Sequence, residues 1–262
     1  MLALLVALLQ LPAVSPEVGF RCLDEAYPGV FAPMESTPDG RRWVILRTGA
    51  RLLWDDGVPD KSPAKRLAAP DLEDTLAIPY PLGRPDAPPG PDMDPGRVRL
   101  EGLMRALYGD SAKAVRGAMV PVAWMSGHGG GRLSFNERHG AAEALRRVSA
   151  ELDRLPRRFH RYVVQTAGTF NWRRIKGTTR LSAHAFAIAV DINVKYTDYW
   201  RWAKRSDAHP EYRNRVPYEI VEVFERHGFI WGGKWHHFDT MHFEYRPELL
   251  HPACASPPPA AR

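Results

Sequence analysis

Cysteine is scarce in this chain: Cys22 and Cys254 are the only two among 262 residues. One disulfide at most is available, and in an oxidising compartment it would tie the two ends of the mature chain together. Cys22 follows Gly-Phe-Arg, which is not a lipoprotein-type site, so no lipid anchor is expected there. Long apolar runs are missing as well. The stretch Leu2–Leu11 is interrupted only by Gln10 and is too short to span a bilayer comfortably. It reads as the apolar core of a secretory signal peptide over residues 1–16, with Ala13-Val14-Ser15 as a small-x-small cleavage site. No Lys or Arg precedes it, so an uncleaved anchor and a wrongly placed start are the alternatives. The expectation is export to a periplasmic or extracellular location, with no stable membrane span after processing. Despite a formal net charge of +6 there is no long basic run and no basic–aromatic stripe, so nucleic acid is not expected as a partner. No internal repeat is visible.

What is present is an ordinary globular composition, 44% hydrophobic and 25% charged. Residues 17–76 are mixed, with a strand-like stretch at 41–48 and a turn at 54–60. Residues 78–96 carry seven prolines and cannot be regular structure, so they read as an extended connector lying on a surface. Leu100, Leu103, Met104 and Leu107 fall at helical spacing, as do Leu145, Val148, Leu152 and Leu155 before Pro156. Residues 161–166 read as a strand and 216–229 as a helix, with Pro217 near its first turn and Gly228 as its stop. Residues 241–245 read as a strand. This order predicts an α+β fold, a mainly antiparallel sheet with flanking helices. The expected organisation is an N-terminal extension over 17–115, a domain over 116–251 and a Pro/Ala-rich tail over 252–262.

One stretch raises a chemical question. Residues 181–193, Leu-Ser-Ala-His-Ala-Phe-Ala-Ile-Ala-Val-Asp-Ile-Asn, set His184 and Asp191 among small and branched apolar residues. Burying either costs several kcal/mol unless something pairs with it. On a helix the two would be separated by about 10.5 Å of rise. On a straight strand they would face opposite ways. A loop over 182–185 followed by a strand over 187–193 lets them converge. A His–Asp hydrogen bond that merely organises the core is the plain alternative.

A zinc site with one position open needs three protein ligands. Of the ten histidines, His227 ends a helix, and His128 and His139 lie in Gly-flanked loops. His160, His209 and His251 lack acidic or histidine companions at useful spacing. His236, His237 and His242 remain, within Lys-Trp-His-His-Phe-Asp-Thr-Met-His-Phe-Glu-Tyr. His242 is best placed, on a strand with Asp239 in the turn before it. The adjacent His236 and His237 diverge, so at most one joins a compact site. Glu244 shares a strand face with His242, as a second base candidate or as a partner orienting the imidazole.

Ser182-x-His184-(x)6-Asp191 followed by Asp239-x-x-His242-Phe243-Glu244 resembles the bacterial zinc peptidases of the D-alanyl-D-alanine carboxypeptidase and L-alanyl-D-glutamate peptidase family. Ala187 stands where that family's first motif has glycine. The resemblance covers about residues 116–250. It implies one Zn2+ per chain in a cleft, held by His184, Asp191 and His242, with Asp239 as general base. It also implies Ser182 near the substrate and an arginine on the scissile carbonyl. Arg173 is the nearest match for that arginine, with Arg174 and Arg180 as competitors. The substrate implied is a peptidoglycan stem or cross-bridge peptide. A non-catalytic zinc-stabilised domain that binds cell-wall peptide or a protein is the alternative, though such a domain would more often lack the Asp239 carboxylate. A zinc amidase acting on another amide also stays open. Residues 17–115 carry no motif.

Overall fold

The structure, a computed structural model, describes residues 14–206 and 209–255. Most of the expected signal segment and the end of the tail lie outside the described residues. Helix α1 (Pro16–Ala26) begins where Ser15 Oγ accepts the Val18 N–H at 3.3 Å and Pro16 occupies a position that needs no donor. Strands β1 (Phe31–Ser36), β2 (Arg42–Leu46) and β3 (Arg51–Leu53) make an antiparallel meander. After helix α2 (Pro63–Ala68), the proline-rich connector crosses the rest of the molecule without forming a helix.

Helices α3 (Glu101–Tyr108) and α4 (Ala112–Gly117) lead to the antiparallel pair β4 (Met119–Ala123) and β5 (Arg132–Asn136). Helix α5 (Ala141–Asp153) buries Leu145, Val148 and Leu152, the stripe its spacing predicts. The expected strand over 161–166 is corrected. Residues His160–Val163 form the short helix α6, and strand β6 covers only Thr166–Gly168. His160 Nε2 bonds the Leu155 carbonyl at 2.8 Å and Val163 is fully buried, so tertiary packing outweighs β-propensity here.

Strand β7 (Ala189–Ile192), the short pair β8 (Arg205–Ser206) and β9 (His209–Pro210), helix α7 (Tyr218–Arg226), strand β10 (Phe229–Trp231) and strand β11 (His242–Tyr245) complete the chain. The central sheet runs β10-β11-β7-β6, antiparallel throughout. The fold is therefore α+β with antiparallel sheets and packed helices. Phe243 of β11 stacks on Phe224 of α7 with ring centroids 3.8 Å apart.

The extension shares this core. Leu23, Tyr27, Trp54, Leu72 and Tyr80 join the same buried cluster as Leu145, Phe224 and Phe243. Cys22 and Cys254 are bonded to each other, and Tyr27 Oη donates to Glu248 at 2.6 Å. The connector lies against the sheet domain. Lys234 Nζ donates to the Pro81 and Gly83 carbonyls at 2.6 and 2.9 Å, and Tyr80 Oη donates to Glu225 at 2.6 Å.

Candidate active site

The two half-motifs meet through strand register. Strands β7 and β11 pair antiparallel with Asp191 directly opposite His242, which puts both side chains on one face. His184 arrives from the turn Ala183–Phe186, where Ser182 Oγ accepts the His184 N–H at 3.4 Å. Ala187 ends that turn at φ 53°, a left-handed conformation that glycine adopts more cheaply. The strand consequently begins at Ala189 and not at Ala187, and the reversal returns His184 over the sheet.

His184 Nε2, His242 Nδ1 and Asp191 Oδ1 form a nearly equilateral triangle. The three separations are 3.2 Å, 3.1 Å and 3.2 Å. Donors of a tetrahedral zinc at about 2.0–2.1 Å lie roughly 3.3 Å apart, so this set fits such an ion. Both histidines are buried, and Asp191 retains some exposure. The far nitrogen of each ring faces an acceptor: His184 Nδ1 lies 3.3 Å from the Thr169 carbonyl, and His242 Nε2 lies 3.3 Å from Glu244 Oε2. With an ion held in the triangle, these outer acceptors would take the ring N–H groups and leave a lone pair of each imidazole directed inward, the arrangement that orients metal-binding imidazoles.

Asp239 sits in the turn before β11. Its N–H donates to the Gly232 carbonyl at 2.9 Å, and a Cβ on Gly232 would lie 2.6 Å from the Asp239 carbonyl, so glycine permits the close approach. Asp239 Oδ1 is buried and has no hydrogen-bond partner. Burial lifts its carboxyl to about 7; the positive charge of His242 opposes the rise and Asp191 adds to it. Burial works against a charged His242, yet hydrogen bonds to Asp191 and Glu244 raise the ring to about 10. For Asp191 burial is likewise outweighed, by the charge and hydrogen bond of His184 and by His242, and its carboxyl stays well below the usual range.

Glu244 is fully buried. Burial would raise its carboxyl, but Arg99, His242 and Arg246 hold it far below the ordinary value. Arg99 grips it with two guanidinium bonds, one at 2.6 Å, and Arg246 Nη1 reaches Oε1 at 3.4 Å. A carboxylate so neutralised is a support for His242 and a poor proton acceptor. The connector supplies more. Asp94 accepts the His237 N–H at 2.9 Å and holds His237 Nδ1 at 2.7 Å and Arg97 Nη1 at 2.7 Å. The Pro95 carbonyl takes the Trp235 Nε1–H at 2.7 Å, and the charge of Arg97 reaches Asp239.

Among the expected residues, His184, Asp191, His242, Asp239 and Glu244 are gathered here, and His236 and His237 point elsewhere. Arg173 is exposed, and its carbonyl accepts the Ser182 N–H at 3.1 Å. Arg174 lies in a bridge with Leu181. Asp94, Arg97 and Arg99 were not expected. Their only signal is a set of charges at the end of a proline-rich stretch, which names no partner.

One known family matches the stretch of chain that carries most of this cluster. Residues 176–245 match the D-alanyl-D-alanine carboxypeptidase family. The matched stretch contains all three triangle residues together with Asp239 and Glu244, so the similarity coincides with the inner part of the site. Asp94, Arg97 and Arg99 fall outside it. No curated protein and no solved structure matches the chain.

Proposed function

We propose that the protein is a zinc-dependent peptidase that hydrolyses peptide bonds in peptidoglycan stem or cross-bridge peptides. The observation that carries this reading is the buried Asp239 carboxylate, its Oδ1 left without a partner, beside the His184–Asp191–His242 triangle. A buried carboxylate near a donor set of this kind is costly for stability alone and suits a proton-transfer role. His184, Asp191 and His242 would hold one zinc ion per chain. When bound, the ion would supply Lewis acidity and a water of lowered pKa.

The remaining roles fall to the chain's own groups. Asp239 takes the proton of the attacking water and returns it to the departing amine. Glu244 keeps the His242 imidazole turned inward. Ser182 fixes the turn that delivers His184. Arg173, exposed on the stretch beside Ser182, is assigned to the scissile carbonyl, where a cation stabilises developing negative charge. Export to the periplasm or cell surface fits this substrate. No helix among the described residues is long and apolar enough to cross a membrane.

Incubation of the purified full chain with stem peptides, with and without a chelator, tests the proposal by mass spectrometry. The expected result is cleavage at one bond, abolished by the chelator. Intact peptides in the presence of zinc-loaded protein would leave a metal-stabilised binding domain instead.

A further inference from the structure

The loop that follows strand β7 brings an exposed aromatic pair to the Asp239 side of the site. Tyr199 is bridged antiparallel to Asp239. The Trp200 N–H donates to the Phe238 carbonyl and the Thr240 N–H to the Asp198 carbonyl, both at 2.9 Å. These bonds lie on either side of the pair, so Tyr199 and Asp239 stand directly opposed without exchanging one. In such a pair the Cα atoms approach to about 4.5 Å and both side chains project to the same side. The half-buried Tyr199 ring therefore flanks the Asp239 carboxylate. The Trp202 N–H closes a turn onto the Tyr199 carbonyl at 2.9 Å, and the two rings meet at 79° with centroids 5.4 Å apart.

Trp202 is 62% exposed, whereas the other seven tryptophans are buried or half-buried. Trp200 is covered: Arg201 and Arg205 lie over its ring at 5.0 and 5.7 Å, and His237 meets it at 4.8 Å. Trp202 has no such cover among the described residues. The Nε1–H groups of Trp124, Trp231 and Trp235 bond the Val163, Thr240 and Pro95 carbonyls, but that of Trp202 bonds no protein group among the described residues. Arg201 and Lys204 are exposed on either side of it. They disfavour a cationic ligand and interrupt any continuous apolar face of the kind a bilayer takes. A single flat ring with a free N–H at its edge suits a sugar. A pyranose has C–H groups on one face and hydroxyls around its rim, so the C–H groups meet the negative face of the indole and a hydroxyl takes the N–H.

Resting on the peptidase reading above, we propose that Trp202, backed by Tyr199, stacks on a sugar ring of the glycan that carries the stem peptide. The substrate class is then the glycan-linked peptide and not the free one. The glycan-attached end of that peptide leaves the site along residues 198–202.

Equilibrium binding to the zinc-loaded full chain tests this in an Asp239→Asn background, which keeps the probes intact. The probes are a stem tetrapeptide carrying its N-acetylated disaccharide and the same tetrapeptide alone. The glycopeptide should bind about 10-fold more tightly, the scale of one ring stacked on an aromatic side chain. Trp202→Ala should bring the two within ~2-fold of each other, and Trp202→Phe should keep part of the preference, with zinc content unchanged in both. Equal binding of the two probes, or an undiminished preference in Trp202→Ala, overturns the assignment. Trp202-dependent binding of phosphatidylglycerol vesicles or of an oligothymidylate in place of the glycopeptide also overturns it, in favour of a membrane or nucleic acid. Turnover by the chain with Asp239 intact separates this inference from the peptidase reading. A glycopeptide preference with no cleavage of either probe upholds the Trp202 platform and overturns the peptidase reading. Cleavage of both probes with no difference in affinity or KM does the reverse.

Discussion

Residues 176–245 and the extension with its connector build the site from opposite sides and by different rules. The matched segment supplies the innermost groups, His184, Asp191, His242 and Asp239, and brings them together by strand register and one tight turn. The extension supplies groups one contact further out: Arg99 on Glu244, Asp94 on His237, the Pro95 carbonyl on Trp235. The difference is physical. Groups that bind an ion or move a proton are confined to a few side-chain types at set spacings. The partner of a buried carboxylate such as Glu244 need only carry a charge, and any stretch of chain that passes nearby can provide it. If the comparison is right, damage to the inner set abolishes metal binding, whereas damage to the outer set weakens it by degrees.

The largest effect is expected at the triangle. His184→Ala or His242→Ala should lose essentially all bound zinc in a metal analysis of the purified protein, while His237→Ala keeps most of it. Full occupancy in His242→Ala would remove that residue from the inner set. Next comes Arg99→Ala, which leaves Glu244 buried with only Arg246 and His242 to balance it. Zinc affinity should fall by about 10- to 100-fold, as for loss of a partner that orients a ligand, and Glu244→Gln should act in the same direction. Titration against a chelator of known affinity reads this directly. An Arg99→Ala protein with unchanged affinity would show that the extension is no part of the metal centre.

Reducing the Cys22–Cys254 bond should lower stability by about 2–4 kcal/mol in denaturant unfolding, since it closes a loop of nearly the whole chain. The smallest effect concerns pH. Burial would raise the Asp94 carboxyl, but the His237 hydrogen bond and Arg97 hold it below its ordinary value. Its contribution is therefore present above about pH 4, the unfolded carboxylate range, and is lost as pH falls through the lower folded value. The protection of the His236 amide, whose N–H donates to the Met93 carbonyl at 2.8 Å, measured against its intrinsic exchange rate at each pH, should fall in acid, and Asp94→Asn should remove that dependence.

How far the sequence could be read follows the same division. The convergence of His184 with Asp191 was legible, because neither a straight helix nor a straight strand allows it, and Asp239 and His242 were legible as a turn and a strand. The antiparallel α+β plan came from the order of periodic segments. The helical turn over His160–Val163 was not legible, because its burial depends on contacts made elsewhere. Nor were Arg97 and Arg99: seven prolines showed that the connector is irregular, without showing which surface it crosses. His128 had no companion at short spacing, yet the fold sets Asp153 2.8 Å from its Nδ1.

Everything functional in this account turns on whether Asp239 moves a proton or merely sits beside a bound ion. Turnover of a stem peptide by Asp239→Asn, with zinc measured on the same samples, addresses that directly. Retained fold and zinc are expected, with turnover lowered by at least ~100-fold, the scale of a lost general base. Undiminished turnover in Asp239→Asn at full zinc occupancy would contradict it.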